Sequence, residues 1–287
     1  MSNPAEDTQP YAETLDRLLA AKPRLAARLI AAERMRGARA ALMLDGVRFD
    51  GLEELLSKLD QIAAAWDNDA QLARVAFLVR RAIADFETGV EAGLSGYPSV
   101  AADAMRDVME IELLLLDFYV EPEDVDAWLN SDRSARLGTF SPRELRRRLI
   151  SIGLEEVLGT DVTTDYRAHS ETLHVLPGEP LLPFIAKGHV ESADLMSLDS
   201  SFLEIFEHAR RLGNALLLVS HRLSPDSDAA EATRGPLPAF ELAHQRTQEL
   251  VRPFLARLRE VFDELDQPGD LESPAADQTP WGDEAPA

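Results

Sequence analysis

Apolar residues in this chain recur every three to four positions, segment after segment, and no convincing run alternates with period two. That spacing builds the buried stripe of an α-helix, because residues at i, i+3, i+4 and i+7 share one face. The first seam runs through Leu15, Leu18, Leu19, Leu25, Leu29, Ala32, Met35 and Leu42, with a break expected at Pro23. Asp50 and Glu53 stand at N-cap and N3 spacing before Leu52, Leu55, Leu56, Leu59, Ile62, Ala63 and Trp66. A third seam follows Leu72, Val75, Val79, Ile83, Phe86, Val90 and Leu94 and stops at Gly93, Gly96 and Pro98. A fourth follows Val100, Ala104, Val108, Ile111, Leu115 and Phe118 and stops before Pro122.

The elements then shorten. Ser141-Pro142-Arg143-Glu144 is a helix start, with Ser as the cap and Pro at the first helical position. A short helix is expected over 161–173, and the proline-rich stretch 177–190 reads as loop. Phe202, Ile205, Phe206, Ala209, Leu212, Leu216 and Val219 form a fifth seam, and a last helix carries Phe240, Ala243, Leu250, Phe254, Leu258, Val261 and Leu265.

The expected fold class is therefore all-α: a helical bundle with an N-terminal helical pair and a disordered acidic tail. Along the chain, 1–10 is expected to be disordered, 11–68 is the helical pair and 69–222 the central bundle. Residues 223–238 read as a linker rich in Ser, Ala, Asp and Pro, 239–266 as the C-terminal helix, and 267–287 as the tail.

Charge narrows the function classes. The 287 residues carry 51 acidic and 29 basic side chains, a formal charge of −22. From Gln267 onward there are five acidic residues, no basic ones and four prolines, so the rest of the chain still carries −17. That balance disfavours general binding to DNA or to anionic membranes. With no cysteine there is no disulfide framework, thiol nucleophile or Cys-ligated metal. The start of the chain lacks the basic and apolar segments of a signal peptide, and no apolar run approaches the ~18 residues of a membrane span. A cytoplasmic location is expected. No Gly-rich phosphate loop, Gly-x-Ser-x-Gly elbow or His-Glu-x-x-His pair occurs, so no cofactor or metal is expected.

The candidate chemistry lies in Asp165-Tyr166-Arg167-Ala168-His169-Ser170-Glu171-Thr172-Leu173-His174. On a helix, Arg167 and His174 return to within ~20° of one face, ~10 Å apart along the axis, while Tyr166, Ser170 and His174 share a stripe. A second polar pair, Arg106 and Glu110, sits at i, i+4 in an otherwise apolar segment, where Arg80 or Arg81 could pair with Glu110 or Glu112. Arg133, Arg136, Arg143, Arg146, Arg147 and Arg148, opposed by Asp132 and Glu144 alone, read as a solvated face or a contact with the protein's own acidic surface, and are also the one stretch of this acidic protein that could face a phosphate. His208 and His221 read as core-edge histidines, and Ser220-His221 has no triad context.

A long helix ending near Gly96-Tyr97-Pro98, then Arg106-x-x-x-Glu110, then Arg167-x6-His174 resembles the HEPN superfamily, in particular its bacterial branches, over roughly 70–219. The resemblance implies a helical bundle that dimerises so that two Arg/His motifs face one cleft. In the family's ribonucleases the His acts as acid or base toward an RNA 2′-hydroxyl and the Arg stabilises the charged phosphorane without a metal. Three departures favour a binding-only relative. Ala168 follows the Arg where a polar residue is usual, Glu171 stands between Arg167 and His174, and Pro177 follows His174 within a turn. The leading expectation is a non-catalytic HEPN-like interaction module, with Tyr166, Ser170, Arg106, Glu110, Arg146 and Arg147 as binding residues. Its expected partner is a second copy or another protein. The alternative is a metal-independent endoribonuclease of the toxin or phage-defence kind, with Arg167 and His174 catalytic and RNA as substrate.

Overall fold

The computed structural model describes residues 9–44, 46–154 and 190–265. Within them the protein is all-α, with eleven α-helices and no strand. In chain order these are α1 (Gln9–Ala21), α2 (Pro23–Leu44), α3 (Val47–Asp67), α4 (Ala76–Ser95), α5 (Pro98–Val120), α6 (Asp124–Leu129), α7 (Arg133–Gly138), α8 (Pro142–Ser151), α9 (Val190–Leu223), α10 (Asp228–Ala232) and α11 (Pro238–Leu265). A single 3-10 turn, Leu72–Arg74, precedes α4. The chain divides into two compact units, 1–251 and 252–287, and α11 begins in the first.

The N-terminal pair consists of one long interrupted helix and α3. Across Lys22 the helical ladder persists, from the Lys22 amide to the Leu18 carbonyl (2.7 Å) and from the Ala26 amide to the Lys22 carbonyl (3.0 Å). Only Pro23, which has no amide hydrogen to donate, interrupts it. Asp50 is not the cap of α3. The helix starts three residues earlier after Gly46, which places Asp50 in the first turn, where a carboxylate favours the helix dipole.

The core is organised around α5, which packs against α4, α9 and α8. Its sequence reads as a one-sided seam. In the structure Ala104, Met105, Val108, Met109, Ile111, Leu113, Leu114, Leu115, Leu116 and Phe118 are all buried, so nearly its whole circumference is covered. A helix apolar all round is an interior helix. Burying the α5 backbone between two long neighbours also buries Glu112 and Asp117, each of which then needs a cation from another helix.

Two glycines set geometry. Gly96 ends α4 with φ of +81°, the left-handed cap that glycine adopts without a Cβ penalty. The Arg39 guanidinium lies against it and donates to the Leu94 carbonyl at 3.0 Å, tying α2 to the end of α4. At Gly51 the backbones of α3 and α11 meet, and the Glu54 carboxylate accepts a hydrogen bond from the Phe240 amide at 2.9 Å. An α3 side chain thus caps a helix start 186 residues away.

The expected linker 223–238 contains a helix. The Ser227 hydroxyl accepts from the Ala230 amide (3.1 Å) and starts α10, whose Ala229 and Ala230 are small enough to bury against the bundle. Ser141 likewise caps α8, with Pro142 in the first turn, as its sequence indicates. The expected helix over 161–173, the 177–190 loop and the acidic tail lie outside the described residues.

Candidate functional site

Tyr166, Arg167, Ser170 and His174 lie outside the described residues. Arg106 and Glu110 are paired at 3.5 Å along α5, both partly exposed. Arg81 acts on Glu110 through its charge, which pulls the Glu110 carboxyl down. It binds Asp107 (2.5 Å) and approaches Asp85 (3.9 Å), while Arg80 turns to Asp67. Glu110 borders a cleft of about 260 Å³ with Arg81, Asp107 and Arg136. Burial pushes the Glu110 carboxyl up, against the pull of Arg106. Beside it, burial and then repulsion from Asp107 raise Asp85 to about 6. Among the described residues no group of three His, Asp or Glu side chains could hold a metal ion.

The basic stretch 133–148 is not a uniform phosphate-facing patch. Arg146 is half-buried and Arg147 exposed, with its Nε donating to Glu144 at 3.0 Å. Arg136 donates to the Ser131 carbonyl at 2.8 Å. Arg148 turns inward, bridging Asp117 (2.9 Å) and Asp124 (2.8 Å) over the ring of Phe140. One guanidinium between two carboxylates offsets a single charge. Burial, opposed by Arg148 and reinforced by Asp124, therefore raises Asp117 to about 7. This clasp holds α8 on α5.

Two further polar centres are internal. Glu112 on α5 meets Arg211 on α9 at 3.5 Å, and Arg211 donates to Nδ1 of the fully buried His208 at 2.7 Å. Glu207 accepts from His244 (2.8 Å) and Gln248 (2.9 Å) across α9 and α11; the hydrogen bond from His244 leads in holding its carboxyl down at about 2. The Ser220 hydroxyl accepts from the Trp66 indole at 3.0 Å in the core, while His221 accepts from Arg234 at the surface. None of these sets places a nucleophile beside a base on an open cleft. They join helices.

These shifts have opposite pH signatures. Asp117 is raised, so between the ordinary 3.8 and about 7 the folded protein holds a proton that the unfolded chain has released. Its contribution to stability therefore falls as pH rises through that window. Glu207 is depressed, so its contribution is present above 4.5 and is lost as pH falls toward about 2. The melting temperature should peak near pH 4–5, flanked by these two windows. Asp117→Asn, which keeps a hydrogen-bond acceptor for Arg148, should flatten the decline between pH 5 and 7. Parallel slopes for Asp117→Asn and the wild type in thermal scans would contradict the assignment.

The open, chemically distinctive surface is on α2. Its leucine seam, expected as core, is largely uncovered: Leu25 is 51% exposed, Leu29 49%, Met35 48% and Leu42 63%. The helical face that buries Arg39 and Met43 near its C-terminal end also carries Leu25 and Leu29, which remain about half exposed although the adjacent Ala26 is buried. Between Arg17 and Arg39 there are seven basic residues and one acidic, a net +6 in a chain of −22. Arg24, Arg28 and Arg34 are exposed, whereas Arg36 binds Glu33 (2.7 Å) and Glu91 (3.3 Å). This stretch carries seven cations, against six in the shorter stretch 133–148. It is legible in the sequence as a charge run, but the periodicity of its leucines directs attention to a core instead.

No helix among the described residues is long and apolar enough to cross a membrane. The fold and its surfaces define an all-α bundle in which buried polar groups bridge helices and α2 exposes a cationic and apolar face. No family model, curated protein or solved structure matches the chain.

Proposed function

We propose that this protein is a non-catalytic helical interaction module, of the kind the HEPN-like resemblance implies, and that its partner through α2 is a second copy of the chain. The observation that carries this reading is the uncovered stripe of Leu25, Leu29, Met35 and Leu42 inside a segment of net +6. Exposed large apolar side chains grouped on one helix mark an interaction surface. The remainder of the chain carries −28, so a second copy offers α2 a surface of opposite sign. Exchanging two α2 helices against two acidic bodies closes a two-fold pair and leaves neither helix uncovered.

Sedimentation equilibrium tests this reading. At about 50 mM salt a dimer is expected, and at about 500 mM, where exposed charges are screened beyond a few ångströms, its dissociation constant should rise at least tenfold. Leu25→Ser/Leu29→Ser and Arg24→Glu/Arg28→Glu should each shift the protein to monomer while leaving helical circular dichroism unchanged. A monomer at every salt concentration, or a dimer indifferent to all four substitutions, would overturn the proposal.

A further inference from the structure

A cavity of about 520 Å³ opens between α3, α9 and the loop leading from α10 to α11. Each wall is a helical face. On α3, Leu55, Lys58, Leu59 and Ile62 fall at i, i+3, i+4 and i+7. From α9 come Ala209, Arg210 and Gly213, and Phe240 and Leu237 close the far side. Protein interiors are packed to crystal density, so a concave apolar space of this size is in the range of ligand sites rather than of packing faults.

The sequence keeps the space open by two devices. Gly213 lies in the interior of α9, where glycine costs roughly 1 kcal/mol relative to alanine, yet a Cβ there would meet no atom within 4 Å. The glycine leaves room on the cavity side that a larger residue would fill. Opposite it, the loop Thr233-Arg234-Gly235-Pro236-Leu237-Pro238 is stiff. Two prolines restrict it, Gly235 takes φ of +100°, and Lys58 Nζ donates to the Arg234 carbonyl. A loop held in this way does not collapse onto the apolar floor.

The mouth is cationic against the trend of the molecule. Lys58, Arg210 and Arg234 border the cavity with a single carboxylate, Glu241, in a chain of −22. Arg210 pairs with Glu207 (3.4 Å), and Arg234 with Glu231 (2.8 Å) and the His221 ring (3.1 Å). We propose that this cavity binds a single-chain anionic amphiphile of the fatty carboxylate class, with its hydrocarbon tail against Leu59, Ile62 and Phe240 and its carboxylate at Lys58, Arg210 and Arg234. The ammonium supplies a point charge and the guanidinium groups planar donor pairs, a combination suited to a carboxylate. Burying the tail supplies the affinity, on the order of 0.8 kcal/mol per methylene removed from water.

Isothermal titration of the full chain with dodecanoate, below its micelle concentration, tests the assignment. The expected result is saturable uptake of one equivalent and a raised melting temperature. Acetate, which has the head without the tail, should give no heat of binding. Dodecyltrimethylammonium, which has the tail with the opposite charge, should bind at least tenfold more weakly. Gly213→Met places a side chain into open space and should lower affinity at least tenfold without lowering the melting temperature of the unliganded protein. Lys58→Met should lower affinity at least tenfold for the carboxylate and not for the ammonium amphiphile. Absence of saturable uptake, equal binding of both amphiphiles, or binding unchanged in Gly213→Met would each overturn the proposal. None of these readouts depends on the oligomeric state.

Discussion

Truncating Trp66 to alanine is expected to cost about 4 kcal/mol of stability and to lower the melting temperature by about 10 °C. The indole is fully buried near the end of α3, and its Nε1–H donates to the Ser220 hydroxyl of α9 at 3.0 Å. Removing it leaves a cavity the rigid neighbours cannot fill and deprives a fully buried hydroxyl of its donor. Trp66→Phe separates the two losses. It restores most of the volume but not the hydrogen bond, and should cost about 1–2 kcal/mol. Urea unfolding of the three proteins gives the comparison. A loss below about 1 kcal/mol in Trp66→Ala would show that the indole does not join the two helices.

Gly51→Ala is the second large effect, and its sign is informative. In a helix interior alanine is ordinarily favoured over glycine by roughly 1 kcal/mol. At Gly51 the added methyl would lie 2.4 Å from the Ala243 Cβ, 3.0 Å from the Ala239 carbonyl oxygen and 3.2 Å from the Phe240 Cα. Two of those atoms belong to the backbone and the third is a Cβ, so no rotamer change relieves the contact. The start of α11 must retreat from α3, and the Glu54 to Phe240 hydrogen bond is lost with it. The expected cost is about 3 kcal/mol. Gly37, exposed on α2, meets nothing within 4 Å, so Gly37→Ala should instead stabilise by about 0.5–1 kcal/mol. Chemical denaturation of both variants should show midpoints moving in opposite directions. Movement in the same direction would remove the close approach of α3 and α11.

The contrast between these glycines shows where reading the chain succeeds and where it stops. Ser141-Pro142 starts a helix, Gly96-Tyr97-Pro98 separates two, and Pro23 interrupts one, because each effect depends on groups within a turn of the residue itself. Arg148 is different. By sequence it belongs to a basic patch facing outward, but it turns inward because α5 buries Asp117, 31 residues away, and a buried carboxylate draws the nearest cation. Leu25 and Leu29 repeat the pattern of a core seam, yet about half of each stays exposed, while Ala26, Arg39 and Met43 of the same helix are buried. Periodicity shows that a helix has an apolar face. It carries no information on whether another element covers that face.

Helix after helix, the order of the elements and the all-α class follow from local rules of spacing, capping and breaking that the linear chain states by itself. The tertiary structure alone decided which helix lies at the centre, which arginines are spent inside, which leucines remain open, and that Gly213 and a proline-stiffened loop hold a cavity between α3 and α9. Those outcomes depend on contacts between residues tens to nearly two hundred positions apart. Their energies arise from complementary shape and burial in three dimensions, which no window along the sequence contains.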